Sequence, residues 1–302
     1  MHTLAKKQNT ATTRPAGKSD RFALIVQRLT NDHEAEVLEF LADRPIHTFG
    51  IVGFIRANGI VSSHNRGTFY ACRDRKGILQ GVALIGHFIL FEALTTAAIE
   101  AFARLAQDCR ESHLLLGEQD RVETFWKSYA DGGQAPRRFC SELLFEQRWP
   151  VEVNEEVAGL RLATIDDLDL IVPVHAQSAF KESGIDPLQV DAEAFRQRCA
   201  RRIEQGRSWV WVENGRLIFK AEVVSDTEDV AYLEGVWVNP DNRGNGIGSR
   251  CISHLSRVLL SGSRSICLLA NEESQRAVSL YKKAGFEVVG FYDTIFLDQW
   301  VH

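Results

Sequence analysis

The stretch GVWVNPDNRGNGIGSR (235–250) constrains the chain most. A β-branched, aromatic run stops at Pro240, glycines alternate at 244, 246 and 248, and a helical pattern begins at once. Glycine permits positive φ and, lacking a β-carbon, lets backbone amides come close to a ligand. Amides gathered just before a helix, together with the helix dipole, make an anion site for which pyrophosphate is a natural occupant. A Walker loop would need Gly-Lys-Ser/Thr, and no such tripeptide follows. A dinucleotide fingerprint would need glycine at 249, where Ser249 stands, and a parallel βαβ unit. Both are excluded.

The pattern around this junction is that of an α/β (α+β) fold with a mainly antiparallel sheet. A strand over 159–163 leads to a helix from Thr164, whose first turn carries Asp166 and Asp167. A break is expected at 178–189, then a helix ending at Gly206. SWVWVENGRLIFKAEVV is a hairpin around Asn214-Gly215, and 230–238 is the next strand. After the glycines come a helix with Ile247, Cys251, Leu255 and Leu259 at i+4 steps, a strand at 265–271, a helix, and one or two closing strands.

The preceding 150 residues echo that order. Gly67 aligns with Gly206 at an offset of 139, and Tyr129 and Gly133 align with Tyr281 and Gly285 at an offset of 152. The second half thus carries 13 extra residues in the interval that holds the glycine loop. The expected organisation is a disordered tail at 1–20, a degenerate copy at 21–150, and a catalytic domain at 151–302. The apolar run 81–94 reads as one buried strand.

Net charge is −5, which argues against a nucleic-acid partner. No run approaches the roughly 20 apolar residues of a membrane span, and the N-terminus has no signal-peptide core. The six cysteines form no CxxC pair and no His cluster, so no metal site is expected. A reducing, cytoplasmic setting fits them.

The loop VNPDNRGNGIG, with Arg243, Gly246 and Gly248, resembles the acetyl-CoA loop of the Gcn5-related N-acetyltransferases (GNAT), patterned Arg/Gln-x-x-Gly-x-Gly/Ala. NEESQRAVSLYKKAGF (271–286) resembles the family's Asn-x-x-Ala-x-x-Leu-Tyr-x-x-x-Gly-Phe, through Ala277, Leu280, Tyr281, Gly285 and Phe286. The similarity extends to a tandem subgroup with a degenerate N-terminal copy. One position departs: Ser274 stands where the family usually has Asn. The resemblance implies two tandem acyl-CoA N-acyltransferase-like domains and acetyl-CoA as co-substrate. Trp237, Val238, Arg243, Gly244, Asn245, Gly246, Ile247, Gly248, Ser249, Asn271 and Ser274 would hold it.

Acetyl transfer to an amine needs a proton removed from the ammonium, a stabilised oxyanion and a protonated leaving thiolate. The resemblance points to Tyr281 as the acid. Glu234, expected by alternation to share a face with Val236 and Val238, is either a base or a structural charge. The Val238 amide is the candidate oxyanion donor. Ser178, Glu182 and Glu222 are candidates for acceptor binding, with Glu222 also able to pair with Lys220. His175 is expected to be a satisfied helical histidine, His254 to face solvent and Cys251 to be core. The expected activity is direct transfer to a small-molecule or peptide amine, with a homodimer left open. The alternatives are a non-catalytic acyl-CoA-binding regulatory module, or a longer acyl donor admitted by a slot near Trp237 and Ile218.

Overall fold

The computed structural model describes residues 24–150 and 157–298. The tail expected at 1–20 lies outside them. One ten-element order occurs twice. In the first half it runs β1 (Ile25–Arg28), α1 (Glu34–Ala42), α2 (Pro45–Asn58), β2 (Gly67–Arg73), β3 (Leu79–Gly86) and β4 (Phe88–Ala93). It continues through α3 (Thr96–Ala106), β5 (Leu114–Glu118), α4 (Gln119–Ala130) and β6 (Pro136–Gln147). The second half repeats it with β7 (Leu160–Leu162), α5 (Leu168–Ser183), α6 (Pro187–Glu204), β8 (Ser208–Glu213), β9 (Arg216–Asp226) and β10 (Val230–Val238). Then follow α7 (Ile247–Leu259), β11 (Ser265–Asn271), α8 (Gln275–Lys283) and β12 (Glu287–Leu297).

Local chemistry sets most boundaries. Asn214 (φ 50°) and Gly215 (φ 72°) both take the positive φ that a two-residue hairpin of right-handed twist requires. Thr164 and Asp167 form a capping box ahead of α5. Two expectations are corrected, and a third is narrowed. The run 81–94 is two strands, because Gly86 and His87 turn it into the β3–β4 hairpin. Helix α5 continues through Pro173 to Gly184, so the break lies later than expected: a short turn from Pro187 is interrupted at Asp191 (φ −161°), after which the helix runs on to Glu204. The closing segment is a single strand with a bulge between Val288 and Gly290.

Among the described residues the twelve strands form one sheet, in the order β1-β2-β3-β4-β5-β12-β6-β11-β10-β9-β8-β7. The two halves trade their last strands. β12, from the end of the chain, pairs with β5, while β6 of the first half pairs with β11. The sequence boundary near 150 therefore does not divide the sheet. Helices cover both faces. α3 and α4 pack on one apolar cluster, and α7 and α8 on another that includes Leu233, Cys251, Leu255 and Tyr281. On the opposite face, α1–α2 and α5–α6 each cover their own cluster. Helix α2 also bridges the halves: Phe49 stacks on Tyr232 at 3.9 Å between ring centroids.

Candidate active site

The site grows from a gap in the sheet. Strand β10 runs parallel to β11 from Val230↔Ser265 to Leu233↔Leu268, and the pairing stops there. β10 continues along β9 while β11 continues along β6, so the two strands splay. Asn239 N donates to Ile218 O at 2.9 Å across β9. Antiparallel bonding alternates sides, so one residue earlier the Val238 amide points away from β9 and into the gap. This is the amide named above as the candidate oxyanion donor.

At the end of β10, Gly244 (φ 83°) and Gly246 (φ 74°) take left-handed conformations, and a β-carbon at either would meet open space. Gly246 caps α7 with no side chain bonding the first turn. The first helical amide to find a partner is Arg250, which donates to Gly246 O at 3.1 Å; the amides before it are the free end of a helix. Gly248 serves packing instead, since a β-carbon there would lie 3.0 Å from Leu280 and 3.1 Å from Val238. These features suit the pyrophosphate of a coenzyme A. Around them, Asn245 is exposed, the Ile247 side chain is buried, Ser249 Oγ bonds Gly246 O, and Arg243 Nε donates to Val238 O at 3.0 Å. Asn271 Oδ1 accepts from Glu273 N, and Ser274 is exposed at the start of α8.

Tyr281 is buried against Phe145 and Phe286, with ring centroids 5.6 and 6.0 Å away. Burial, and then the nearby Glu182 carboxylate, push its phenol above the usual tyrosine range. A phenol so shifted stays protonated and able to donate.

The expectation for Glu234 changes. Gly235 (φ 59°) sits in a β-bulge between Glu234 and Trp237, which inserts a residue and reverses the alternation. Val236 and Val238 pack in the α7–α8 cluster, whereas Trp237 packs in the α5–α6 cluster. Glu234 turns to that second face and accepts from Arg202 at 2.9 Å. Ile218 lies in the α7–α8 cluster, so Trp237 and Ile218 do not wall one slot.

Behind Glu234 lies a buried charge network. Glu222 is 1% exposed and pairs with Lys220 at 2.8 Å, with His175 at 3.3 Å and with Arg202. Burial alone would raise its pKa, yet Lys220, Arg202 and His175 hold its carboxyl well below the usual range. Glu222 thus supports Arg202 from behind rather than facing a substrate, and His175 is satisfied, as expected. His254 is half-buried, with Nδ1 accepting from Val157 N, instead of facing solvent. Cys251 is core, its thiol pushed up to about 12 by burial.

Ser178 and Glu182 both lie on α5 rather than in a break. Glu182 is exposed on α5, within electrostatic reach of Glu234 and Glu142. Burial, then repulsion from Glu234 and Glu142, push it up to about 7. Glu142 belongs to β6 of the first half and is bonded by the Thr294 hydroxyl. The second half's motifs gave no signal for it, nor for Arg202, whose helix reads only as basic in its last turn. Among the described residues, no cluster of His, Cys, Asp or Glu could hold a metal ion, and no helix is long and apolar enough to cross a membrane.

Comparison with known proteins bears on the family and the fold. Residues 171–286 match the Acetyltransferase (GNAT) family. The chain is 34% identical over 59 residues to the peptidyl-lysine N-acetyltransferase YjaB of Escherichia coli, covering 20% of this chain and 37% of that relative's length. An acetyltransferase from the GNAT family of Colwellia psychrerythraea superposes with a TM-score of 0.57 at 13% identity, over 92% of this chain and 100% of the other. A tandem GNAT protein from the clavulanic acid biosynthesis pathway superposes at 0.53 with 14% identity, over 90% and 98%.

Proposed function

Residues 171–286 form an acetyltransferase domain of the GNAT family, and on that premise we propose that the chain transfers an acetyl group from acetyl-CoA to a primary amine by direct attack in a ternary complex. The observation that carries this reading is the Val238 amide aimed into the β10–β11 gap beside an uncapped, glycine-opened helix start. The amides at 246–249 would hold the pyrophosphate, with Arg243, Gly244, Asn245 and Ser274 at the rim. Bound acetyl-CoA supplies the acetyl group as a thioester. The chain's residues do the rest: the Val238 amide stabilises the oxyanion, and the Tyr281 hydroxyl gives a proton to the departing sulfur.

Two carboxylates face the incoming amine. Glu234 is held by Arg202, which suits it to orient the ammonium. Glu182, pushed up to about 7, suits removal of the ammonium proton near neutral pH, directly or through water. Cys251 and Cys267 are buried with raised thiols, as befits direct transfer without an acyl-cysteine. The curated relative named above acts on lysine amines, in keeping with an amine acceptor. We assign catalysis to 151–302 and a cofactor-poor role to 21–150. The six free cysteines suit a cytoplasmic setting.

A panel of primary amines with acetyl-CoA, followed by thiol release, tests this. Turnover with any acceptor is expected. Acetyl-CoA binding without turnover on any amine would leave the regulatory reading, and turnover only with longer acyl-CoA would replace the donor.

A further inference from the structure

The first half brings a group of cations to the seam beside the acceptor cleft. Arg66 sits at φ 52°, a left-handed conformation unusual for a side-chain-bearing residue, at the entry to β2. Its Nη2 lies 3.0 Å from His87 Nδ1. The His87 ring meets His113 edge-on, with centroids 4.0 Å apart. His113 O accepts from Leu297 N, and the preceding ring, Phe296, carries the Arg137 guanidinium 6.0 Å above it. Arg137 Nη1 would lie 3.7 Å from a β-carbon at Gly184, the C-cap of α5. Glu182 is two residues before that glycine.

Helix α6 adds Arg198, which is exposed, as is Arg66. Burial, and then Arg198, depress the Arg66 guanidinium. Burial, then Arg66, His113 and Arg198, push His87 down to about 3, so its ring is neutral at ordinary pH. The carboxylate of Glu111 acts on Arg66 and His113 in the opposite direction. Three guanidinium groups thus stand against one carboxylate, and Arg137 Nε is buried with no hydrogen-bond partner. A ligand anion here would relieve the repulsion among like charges. Guanidinium groups suit planar and tetrahedral oxyanions because they donate in a fork.

We propose that Arg66, Arg137 and Arg198 form an oxyanion site at the seam between the halves, which seats the carboxylate or phosphate of the acceptor while its amine lies toward Glu182. The acceptors are then amines that also carry an anionic group. This rests on the acetyltransferase reading for the identity of the cleft. It gives the first half a role in substrate selection, without a second cofactor.

Matched acceptors test it: lysine against 1,5-diaminopentane for a carboxylate, and glucosamine 6-phosphate against glucosamine for a phosphate. In the unaltered protein, kcat/KM should favour the anionic member of at least one pair by about tenfold, the worth of one charge-assisted contact. Which pair shows the preference separates carboxylate from phosphate. Arg198→Glu, an exposed helical change, should abolish that preference, and Arg198→Lys should restore part of it. Equal kcat/KM within both pairs, or a preference untouched by Arg198→Glu, overturns the proposal. Titration with inorganic phosphate, followed through the His87 and His113 imidazole NMR signals, has a readout apart from turnover. Saturable shifts in the unaltered protein that vanish in Arg66→Gln/Arg198→Glu support the site even if no amine is acetylated. Shifts that persist in the double variant, or never occur, count against it.

Discussion

The two halves build the same gap and treat it in opposite ways. In the first half β4 pairs with β5 only at Phe88↔Leu114 and Ile89↔Leu115 and then diverges, as β10 does from β11. That opening is filled by ions. Arg44 bonds Glu92 at 3.1 Å and Glu118 at 2.7 Å, and Arg121 bonds the same two carboxylates at 2.8 and 3.0 Å. A small cavity remains among Leu90, Phe91, Leu116 and Gly117. The helix that follows is closed as well. Only Leu94 and Thr95 separate β4 from α3, and Thr95 Oγ1 accepts from Ala98 N at 3.2 Å. In the second half residues 239–246 separate β10 from α7, and no side chain caps the helix. One fold thus leaves a helix start open in one half and satisfies it with a threonine and four ions in the other.

The largest test of this contrast is Gly246→Asp. It places a β-carbon at φ 74° and a negative charge at the anion site, so acetyl-CoA affinity should fall by about 100-fold or more. Calorimetry should find one acetyl-CoA per unaltered chain and none in the variant; two sites per chain would erase the contrast. Next come the paired tyrosines. Tyr281→Phe should lower kcat by about 100-fold with little change in cofactor affinity. Tyr129→Phe, at the equivalent position where burial pushes the phenol up to about 12, should leave kcat unchanged. Equal effects from the two would dissolve the distinction.

Arg44→Ala probes the joint itself. Glu92 is 4% exposed and would keep only Arg121, so stability should drop by about 2 kcal/mol in chemical denaturation. Acetyl-CoA stoichiometry should stay at one. The smallest effect concerns pH. Glu182 titrates near 7 in the folded chain, above its unfolded value of about 4.3. Its contribution to stability is therefore present in full below about pH 4 and is lost as pH rises through about 7. The kcat/KM profile should rise over the same range, and Glu182→Gln should flatten both curves. A profile that keeps its inflection near 7 in that variant would move the proton to another group.

Much of the second half was legible in sequence because its signals are local. Asn214-Gly215 fixes a hairpin, Thr164 and Asp167 start a helix, and three glycines mark the loop. The Gly86–His87 turn was missed because apolar residues continue on both sides of it. The face of Glu234 was missed for a different reason. Alternation assumes an unbroken ladder, and Gly235 in a bulge carries no sequence signal that separates it from any strand glycine. Arg202 and Glu142 were invisible because nothing in their own segments points at the cleft.

The sequence alone determined the repeated element order, the open helix start and the tyrosine beside it, since each depends on residues within a turn or two of one another. Only the tertiary structure decided that β6 and β12 change places, that Glu142 of the first half therefore acts on Glu182 of the second, and that Glu234 turns toward Arg202. Strand exchange and charge pairing depend on contacts between residues far apart in the chain, where periodicity is silent.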